Sequence, residues 1–151
     1  LIDVSNSYTK LAFSTDRRVA RSAGIPTREL TLRRLQPFLQ ERALDAVVVS
    51  SVVPAKDRLL VRAAGRRRVL FVDAKCDLGV GVNYPSPETI GADRLANAAA
   101  VAHLYGRPAI VVEFGTAVTF DGVSTNGGSV CRVIPAGLGT MTGFLYGRNG
   151  V

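Results

Sequence analysis

An acidic residue followed closely by small polar residues is the first feature of this chain that suggests a reaction. In "LIDVSNSYTK" an apolar run ends at Asp3, and Asn6, Ser7 and Lys10 follow it. Small residues let backbone N–H groups approach a phosphate, hydroxyl groups add donors, and an acid holds a metal ion that neutralises phosphate oxygens. The stretch therefore indicates a phosphate-binding loop, although Asn and Ser are also ordinary hairpin residues.

The same arrangement occurs again in the second half of the chain. "VVEFGTAVTF" places Glu113 at the end of an apolar run and continues through Gly115, Thr116 and Thr119. Alone, this stretch indicates a plain hairpin turn more often than a phosphate loop. The repetition of a strand–acid–turn–strand unit indicates two related lobes, each presenting a loop to a common cleft.

A third group of polar residues lies in "GADR", where Asp93 and Arg94 stand at the predicted start of a helix. The first turn of a helix favours anions, and an Asp there is commonly only a first-turn residue. Within reach of a substrate hydroxyl, however, it would act as a general base in phosphoryl transfer. The adjacent arginine would then pair with a substrate carboxylate. These residues alone leave both interpretations open.

The hydropathy pattern predicts the elements that position these residues. In the first half it predicts, in order, an opening hairpin, a helix, a buried strand, a helix and a buried strand: "LIDV" with "YTKLAFS", "ELTLRRLQPFLQERAL", "DAVVVSSVV", "AKDRLLVRAAG" and "RVLFVD". Leu32, Leu35 and Leu39 share one face of the first helix, and Pro37 weakens or kinks it. Gly65 ends the second helix. Strands that alternate with helices indicate an α/β layer architecture.

The second half begins with a long loop rich in glycine and proline, "DLGVGVNYPSPETIGADR". Loops of that length in compact domains are usually functional or disordered. An alanine-rich helix, a buried strand with two antiparallel partners and a glycine-containing final helix follow: "ADRLANAAAVAHLYG", "PAIVVEF" with "AVTFDGV" and "SVCRVI" around the turn "STNGG", and "GLGTMTGFLYG".

Composition limits the classes of protein that fit. The chain has 151 residues, is 47% hydrophobic and contains no apolar run near the roughly 20 residues that span a bilayer. We find no signal peptide. Cys76 and Cys131 form no metal-binding motif and the chain has one histidine, so we expect free thiols in the cytoplasm rather than a zinc site. The chain starts without Met and ends at "FLYGRNGV", which suggests part of a longer protein.

The formal net charge is +7 and comes mostly from arginine. A nucleic-acid-binding regulator is one interpretation of such a charge. The arginine runs are scattered, however, and no aromatic residues are interleaved with them. Solvated arginine faces that attract anionic small molecules are the favoured interpretation.

The order and spacing of five segments resemble those of the type III pantothenate kinases: "DVSNSYTK", "SVVP", "YPSPETIGADRLANA", "YGRPAIVVEFGTAVTFD" and "IPAGLGTMT". That family belongs to the acetate kinase, sugar kinase, Hsp70 and actin superfamily. The resemblance implies an α/β, actin-like (ribonuclease H-like) two-lobed fold, with mixed sheets and flanking helices. The first lobe would cover residues 1–107, and an incomplete second lobe would begin in residues 108–151. It further implies ATP-dependent phosphorylation of pantothenate, the first step of coenzyme A biosynthesis, by a cytoplasmic homodimer.

The resemblance also implies roles for individual residues. Those implied in ATP binding lie in the two loops: Asp3, Ser5, Asn6, Ser7, Lys10, Gly115, Thr116 and Thr119. Those implied in pantothenate binding lie in the long loop and at the start of the helix after it: Tyr84, Gly91, Ala92, Asp93 and Arg94. Asp93 would be the general base, Asp3 would help to hold Mg²⁺, and Glu113 would serve a K⁺ or NH₄⁺ site.

Several positions depart from the family pattern. Ser5 replaces a glycine, Glu113 replaces a shorter Asp, Val118 replaces a threonine, and Cys131 and Arg132 align with a pair of glycines. These changes retain the general base but alter the nucleotide and cation sites. They favour an alternative in which the protein is a non-catalytic homologue that binds a nucleotide or ligand as a sensor or partner subunit.

Overall fold

The computed structural model describes residues 1–40, 44–114 and 118–125, together with the backbone of residues 129–133. These residues form mixed α/β structure, which confirms the predicted α/β class. They fall into two compact units: Leu1–Asp73 with Gly91–Asp93, and Ala74–Ile90 with the chain from Arg94 onward. The actin-like two-lobed arrangement and its lobe boundaries stay predictions.

The first unit contains a five-stranded mixed sheet in the order β3-β2-β1-β4-β5. Its strands are β1 (Ile2–Val4), β2 (Tyr8–Leu11), β3 (Ala23–Pro26), β4 (Ala46–Ser51) and β5 (Arg68–Phe71). The strand β1 is antiparallel to β2 and parallel to β4, and β4 is parallel to β5. The predicted opening hairpin and the strand that became β4 are confirmed. The pattern did not predict β3, because "AGIP" is short and contains glycine and proline.

Two helices supply the apolar side chains that cover one face of this sheet. They are α1 (Leu32–Gln40) and α2 (Asp57–Ala64), and Leu35, Leu39 and Leu60 join the buried residues of β1 and β4 in one core. Pro37 lies inside α1, as the sequence indicates, while residues 41–43 of the predicted helix lie outside the described residues. After α2 the chain turns at Gly65, whose φ of +64° is a conformation that glycine adopts without strain. Both predicted helices are confirmed.

The prediction that "RVLFVD" is a buried strand is wrong about burial. Its residues form β5, but none of the four is buried, and the side chains of Arg68 and Leu70 are exposed. The reason is its place at the sheet edge, where only β4 pairs with it. A continuous apolar run does not by itself distinguish a central strand from an edge strand.

The second unit contains most of α3 (Ala92–Leu104) and an antiparallel sheet in the order β6-β7-β8. The strands are β6 (Ala109–Phe114), β7 (Val118–Val123) and β8 (Ser129–Val133). The predicted helix and the antiparallel pairing are therefore confirmed. Residues 126–128 of the predicted turn and the whole predicted final helix lie outside the described residues. The long loop before α3 contains a single 3-10 turn, Pro87–Thr89.

The prediction that "PAIVVEF" is a buried strand is wrong about burial, because none of the six residues of β6 is buried. Ile110, Val112 and Phe114 alternate along β6, and their side chains are 75%, 42% and 72% exposed. Because successive side chains of a strand point to opposite faces, the three share one face of the sheet. No described element covers that face. Among the helices that the structure describes, none combines the length and apolar character that crossing a membrane needs.

Candidate active site

The strand β1 carries Asp3 to the centre of the first sheet. In register, Asp3 lies opposite Lys10 of β2 and Ser50 of β4. Its neighbours Ile2 and Val4 point into the core, so the alternation of a strand directs Asp3 to the other face together with Lys10 and Ser50. The middle of this sheet face therefore presents an acid flanked by a cation and a hydroxyl group.

The environment of Asp3 disfavours its charged form. Burial raises the pKa of this carboxyl group above its ordinary value, and the nearby carboxylate of Asp93 raises it further. The ammonium group of Lys10 and the nearby hydroxyl groups of Ser5 and Ser50 act in the opposite direction and lower the pKa. Burial has the largest effect, so the net direction is upward. Asp3 and Asp93 thus form a pair of carboxylates that a bound cation would stabilise.

The first loop, Ser5–Ser7, is held by a threonine from another part of the chain. The hydroxyl of Thr27 donates to the carbonyl oxygen of Ser5 at 2.7 Å, and its backbone N–H donates to the carbonyl oxygen of Ser7 at 2.9 Å. A third bond, 3.0 Å long, joins the hydroxyls of Thr27 and Thr9, both of which are buried. Sequence reasoning missed Thr27, because its partners are backbone carbonyl groups that no motif marks.

The loop residues expected to bind ATP differ in exposure. Ser5 is half-buried, and its hydroxyl group is one of the nearby groups that lower the pKa of Asp3. Asn6, Ser7 and Lys10 are exposed.

The start of α3 brings Asp93 back over its own backbone. A Cβ atom added at Gly91 would lie 2.5 Å from Oδ1 of Asp93 and 3.4 Å from Cγ1 of Val52. A side chain at Gly91 would therefore displace the carboxylate. The next residue, Ala92, is buried at the first position of the helix. Gly91 and Ala92, which belong to the predicted pantothenate-binding segment, thus help to determine the position of the Asp93 side chain.

The next residue of the helix makes a buried ion pair within the second unit. Nε of Arg94 donates to Oδ1 of Asp121 at 2.7 Å, and Nη2 donates to the same oxygen. The side chain of Arg94 is 15% exposed and that of Asp121 is 2% exposed. Sequence reasoning missed Asp121. Its one signal is an acid within an otherwise apolar and small-residue strand, "VTFDGV", where a buried charge needs a partner.

The second predicted loop is described only in part. Nδ2 of Asn97 donates to Oε2 of Glu113 at 3.2 Å, and Glu113 lies opposite Thr119 in the register of β6 and β7. The hydroxyl of Thr119 is buried and has no hydrogen-bond partner among the described residues. Gly115 and Thr116 lie outside the described residues, as do the side chains of Cys131 and Arg132.

The remaining candidate residues differ in how deeply they are buried. Tyr84 is half-buried in the long loop of the second unit, and Val118 is buried at the start of β7. A cavity of about 330 Å³ in the first unit is lined by the start of β1, the start of β4 and the end of α1, and it contains none of the candidate residues. The candidate residues Asp3, Asn6, Ser7 and Lys10 of the first unit therefore lie on the open face and loop of the sheet, away from that cavity.

The donors available for a metal ion are limited in the described residues. No cluster of three or more His, Cys, Asp or Glu side chains occurs among them. The pair formed by Asp3 and Asp93 fits Mg²⁺, which is usually bound by one or two carboxylates together with substrate phosphates and water. Glu113 offers one exposed carboxylate that already accepts a hydrogen bond from Asn97.

Comparison with known proteins finds one family. A family model described as type III pantothenate kinase matches residues 1–150. Curated relatives with that same description include one from Methylacidiphilum infernorum, 38% identical over 146 residues, and one from Akkermansia muciniphila, 42% identical over 146 residues. These alignments cover 97% and 96% of this chain but 54% and 60% of the relatives. The chain thus spans between half and two thirds of the length of these relatives.

A solved structure supports the similarity at the level of the fold. A protein from Campylobacter jejuni, described as belonging to a Baf family of transcriptional activators, matches with a TM-score of 0.58 and 16% identity. The match covers 95% of this chain and 57% of that one. At this identity the likeness shows a shared fold and carries nothing about activity.

Proposed function

The chain belongs to the type III pantothenate kinase family, and from that premise we propose that the protein transfers the γ-phosphoryl group of ATP to pantothenate and forms 4′-phosphopantothenate. The observation that carries the proposal is the carboxylate pair of Asp3 and Asp93, in which a half-buried acid at the centre of a sheet lies near an acid in the first turn of a helix. Phosphoryl transfer needs both a cation-holding acid and a proton acceptor.

The first loop is the proposed site of the ATP phosphates. Lys10 and the exposed polar groups of Asn6 and Ser7 would contact phosphate oxygens, and the bonds from Thr27 fix the loop backbone beforehand. Asp3 would hold Mg²⁺, and the positive charge of such an ion would oppose the burial that raises the pKa of this carboxyl group. A bound Mg²⁺ supplies positive charge to the β- and γ-phosphate oxygens.

Asp93 is the proposed general base. Its carboxylate would accept the proton of the primary hydroxyl of pantothenate while the hydroxyl oxygen forms a bond to the γ-phosphorus and the bond to ADP breaks. Gly91 allows the carboxylate its position, because a side chain there would collide with Oδ1. Tyr84, Gly91 and Ala92 would line the pantothenate site, and Arg94 would pair with the carboxylate of pantothenate.

The second loop is the proposed second contact with ATP. Gly115, Thr116 and Thr119 would bind phosphate oxygens, and Glu113 would serve a monovalent cation, K⁺ or NH₄⁺. The buried hydroxyl of Thr119, which lacks a partner among the described residues, supports a polar ligand near this strand. We further propose that the enzyme acts as a homodimer in the cytoplasm.

The test is the turnover of the protein expressed from its native reading frame. ATP-dependent formation of 4′-phosphopantothenate by the wild type is the expected result, and Asp93→Asn should lower kcat by about 100-fold or more with its unfolding midpoint unchanged. Asp16→Asn is the matched control, because the side chain of Asp16 is 84% exposed and its ion pair is with its exposed neighbour Arg17. Full turnover in Asp93→Asn would remove Asp93 from the proposed role.

A second candidate is a non-catalytic homologue that binds a nucleotide or pantothenate-like ligand. Val118, which replaces a hydroxylated residue of the family pattern, is 8% exposed and offers no donor to a phosphate. Calorimetric binding of ATP or pantothenate without product formation, at saturating K⁺ and NH₄⁺, would support this candidate. Measurable turnover under the same conditions would exclude it.

A further inference from the structure

The ion pair of Arg94 and Asp121 involves the arginine that the proposed function assigns to pantothenate. Arg94 follows Asp93 in the first turn of α3, and Asp121 lies in the middle of β7. Both side chains are at least largely buried, at 15% and 2% exposure. One carboxylate oxygen, Oδ1, receives both bonds from the guanidinium, through Nε and through Nη2.

A gain in stability does not by itself explain this ion pair. The charged pair must be removed from water, and its attraction offsets that cost only when the remaining polar atoms are also satisfied. Oδ2 of Asp121 is buried and has no hydrogen-bond partner among the described residues. A buried ion pair is often no more stabilising than an apolar replacement of the same volume. The pair is better explained by what it does to the orientation of Arg94.

The two bonds fix the direction of the guanidinium group. Its five N–H donors lie in one plane as a rigid fork, and Nε and Nη2 form the edge that meets Asp121. The edge formed by Nη1 and Nη2 lies elsewhere in the same plane and has the spacing that binds a carboxylate through two parallel hydrogen bonds. Because one edge is fixed by a buried acid, the direction of the second edge is fixed too.

We propose that Asp121 is a positioning residue that orients Arg94 toward the carboxylate of the substrate. The preference of the protein for an acidic substrate over a neutral analogue then depends on Asp121, although Asp121 does not touch the substrate. The proposal rests on the proposed function, since it takes pantothenate as the acid that Arg94 binds.

The experiment compares pantothenate with pantothenol, its neutral alcohol analogue, as substrates of the protein expressed from its native reading frame. In Asp121→Asn the ratio of kcat/KM for pantothenate to that for pantothenol should fall about tenfold, mainly through a higher KM for pantothenate. The KM values for pantothenol and ATP should not change. Arg94→Gln should lose the same discrimination, and adding Asp121→Asn to it should lower the ratio no further.

Val123→Ala is the matched structural control. Val123 lies two residues after Asp121 on the same face of β7 and is 2% exposed, so the substitution loosens the same sheet without changing a charge. It should lower the unfolding midpoint and leave the substrate ratio intact. If Asp121→Asn behaves in the same way, with both substrates affected equally, its role is purely structural and the proposal is overturned.

Failure of the proposed function gives a different result. A wild type that phosphorylates neither substrate overturns the kinase proposal, and calorimetry with pantothenate and pantothenol then decides the role of Asp121. Pantothenate binding that weakens about tenfold in Asp121→Asn, with pantothenol binding unchanged, would still support the positioning role. A wild type that binds neither compound overturns both proposals.

Discussion

At the scale of single residues, Asp3 is the side chain through which the candidate site lowers the stability of the ligand-free protein. This carboxyl group is half-buried, and a second carboxylate, Asp93, acts on it. Both effects favour the protonated form, while Lys10 and two serine hydroxyls reduce them only in part. A residue held in this way lowers the stability of the protein at neutral pH when no cation is bound, and binding of a cation removes that penalty.

Replacement of Asp3 by asparagine should therefore stabilise the ligand-free protein. Because the pKa of Asp3 is raised on folding, the folded state binds more protons than the unfolded state between the ordinary value of 3.8 and the raised value. The free energy of unfolding must fall as pH rises through that window and remain lower above it. Asp3→Asn should abolish this decrease and also abolish Mg²⁺-dependent ATP binding. Urea unfolding across the acidic range and calorimetry with Mg·ATP would measure the two effects, and an unchanged pH dependence in the variant would contradict the assignment.

Addition of a single methyl group at Gly91 should impair catalysis more than folding. In Gly91→Ala the new Cβ would meet Oδ1 of Asp93 at 2.5 Å, so the carboxylate must move away from its position. We expect kcat to fall at least about tenfold, since small displacements of a catalytic group have large effects on rate. Gly24→Ala is the control, because a Cβ there has no atom within 4 Å. Equal kcat values for the two variants would show that the position of Asp93 is not critical.

At the scale of elements, the first loop depends on a contact distant in sequence. Thr27, which begins the 3-10 turn after β3, ties the carbonyl groups of Ser5 and Ser7 to a different part of the sheet. The loop therefore has a fixed backbone before any ligand arrives, which lowers the entropy lost on phosphate binding.

Removal of one hydroxyl group should reveal this support. Thr27→Val keeps the shape of the side chain but loses its bonds to Ser5 and Thr9, leaving polar groups without a partner. We expect a loss of about 1–3 kcal/mol in the free energy of unfolding and a higher KM for ATP. Thr27→Ser retains the hydroxyl and should restore the KM. A KM for ATP that is normal in Thr27→Val would mean that the loop does not need this contact.

The sequence pattern predicted those helices and strands whose formation depends on residues close to each other in the chain. Alternating and continuous apolar runs predicted the hairpin, the strand β4, the helices α1 to α3 and the pairing of β6 with β7, because period and turn residues suffice for those assignments. They did not predict the exposure of β5 and of one face of β6, because exposure depends on which elements become neighbours. The partners Thr27 and Asp121 were missed for the same reason. Asp3 and Asp93 were identified as candidates from residue type and position, and their proximity required the fold.

At the scale of the whole molecule, the positive net charge is the property that this chain most clearly shares with nucleic-acid-binding proteins. The net charge of +7 comes mostly from arginine, yet several of these side chains meet acids, as Arg34 does with Glu29 at 2.9 Å. Scattered and partly paired arginines attract anions in general without forming a surface that reads bases.

Binding to duplex DNA should accordingly be weak and lost as salt is added. We expect fluorescence anisotropy with a labelled oligonucleotide to show association at low ionic strength only, with no preference among sequences, because such binding depends on phosphate contacts and counterion release. Arg94→Gln provides a control, since its buried guanidinium should make no difference to DNA binding. Tight binding that persists at physiological salt would favour the regulator interpretation over the kinase.

The raised pKa of Asp3 also means that this carboxyl group keeps its proton to a higher pH than an ordinary Asp side chain does. Between the ordinary value of 3.8 and the raised value, a divalent cation entering with ATP would expel this proton into the buffer. The heat measured on Mg·ATP binding should then differ between two buffers with unlike enthalpies of ionisation, and the difference should vanish in Asp3→Asn. The measured proton release would thus report the fraction of Asp3 side chains that are protonated before binding, without any measurement of turnover.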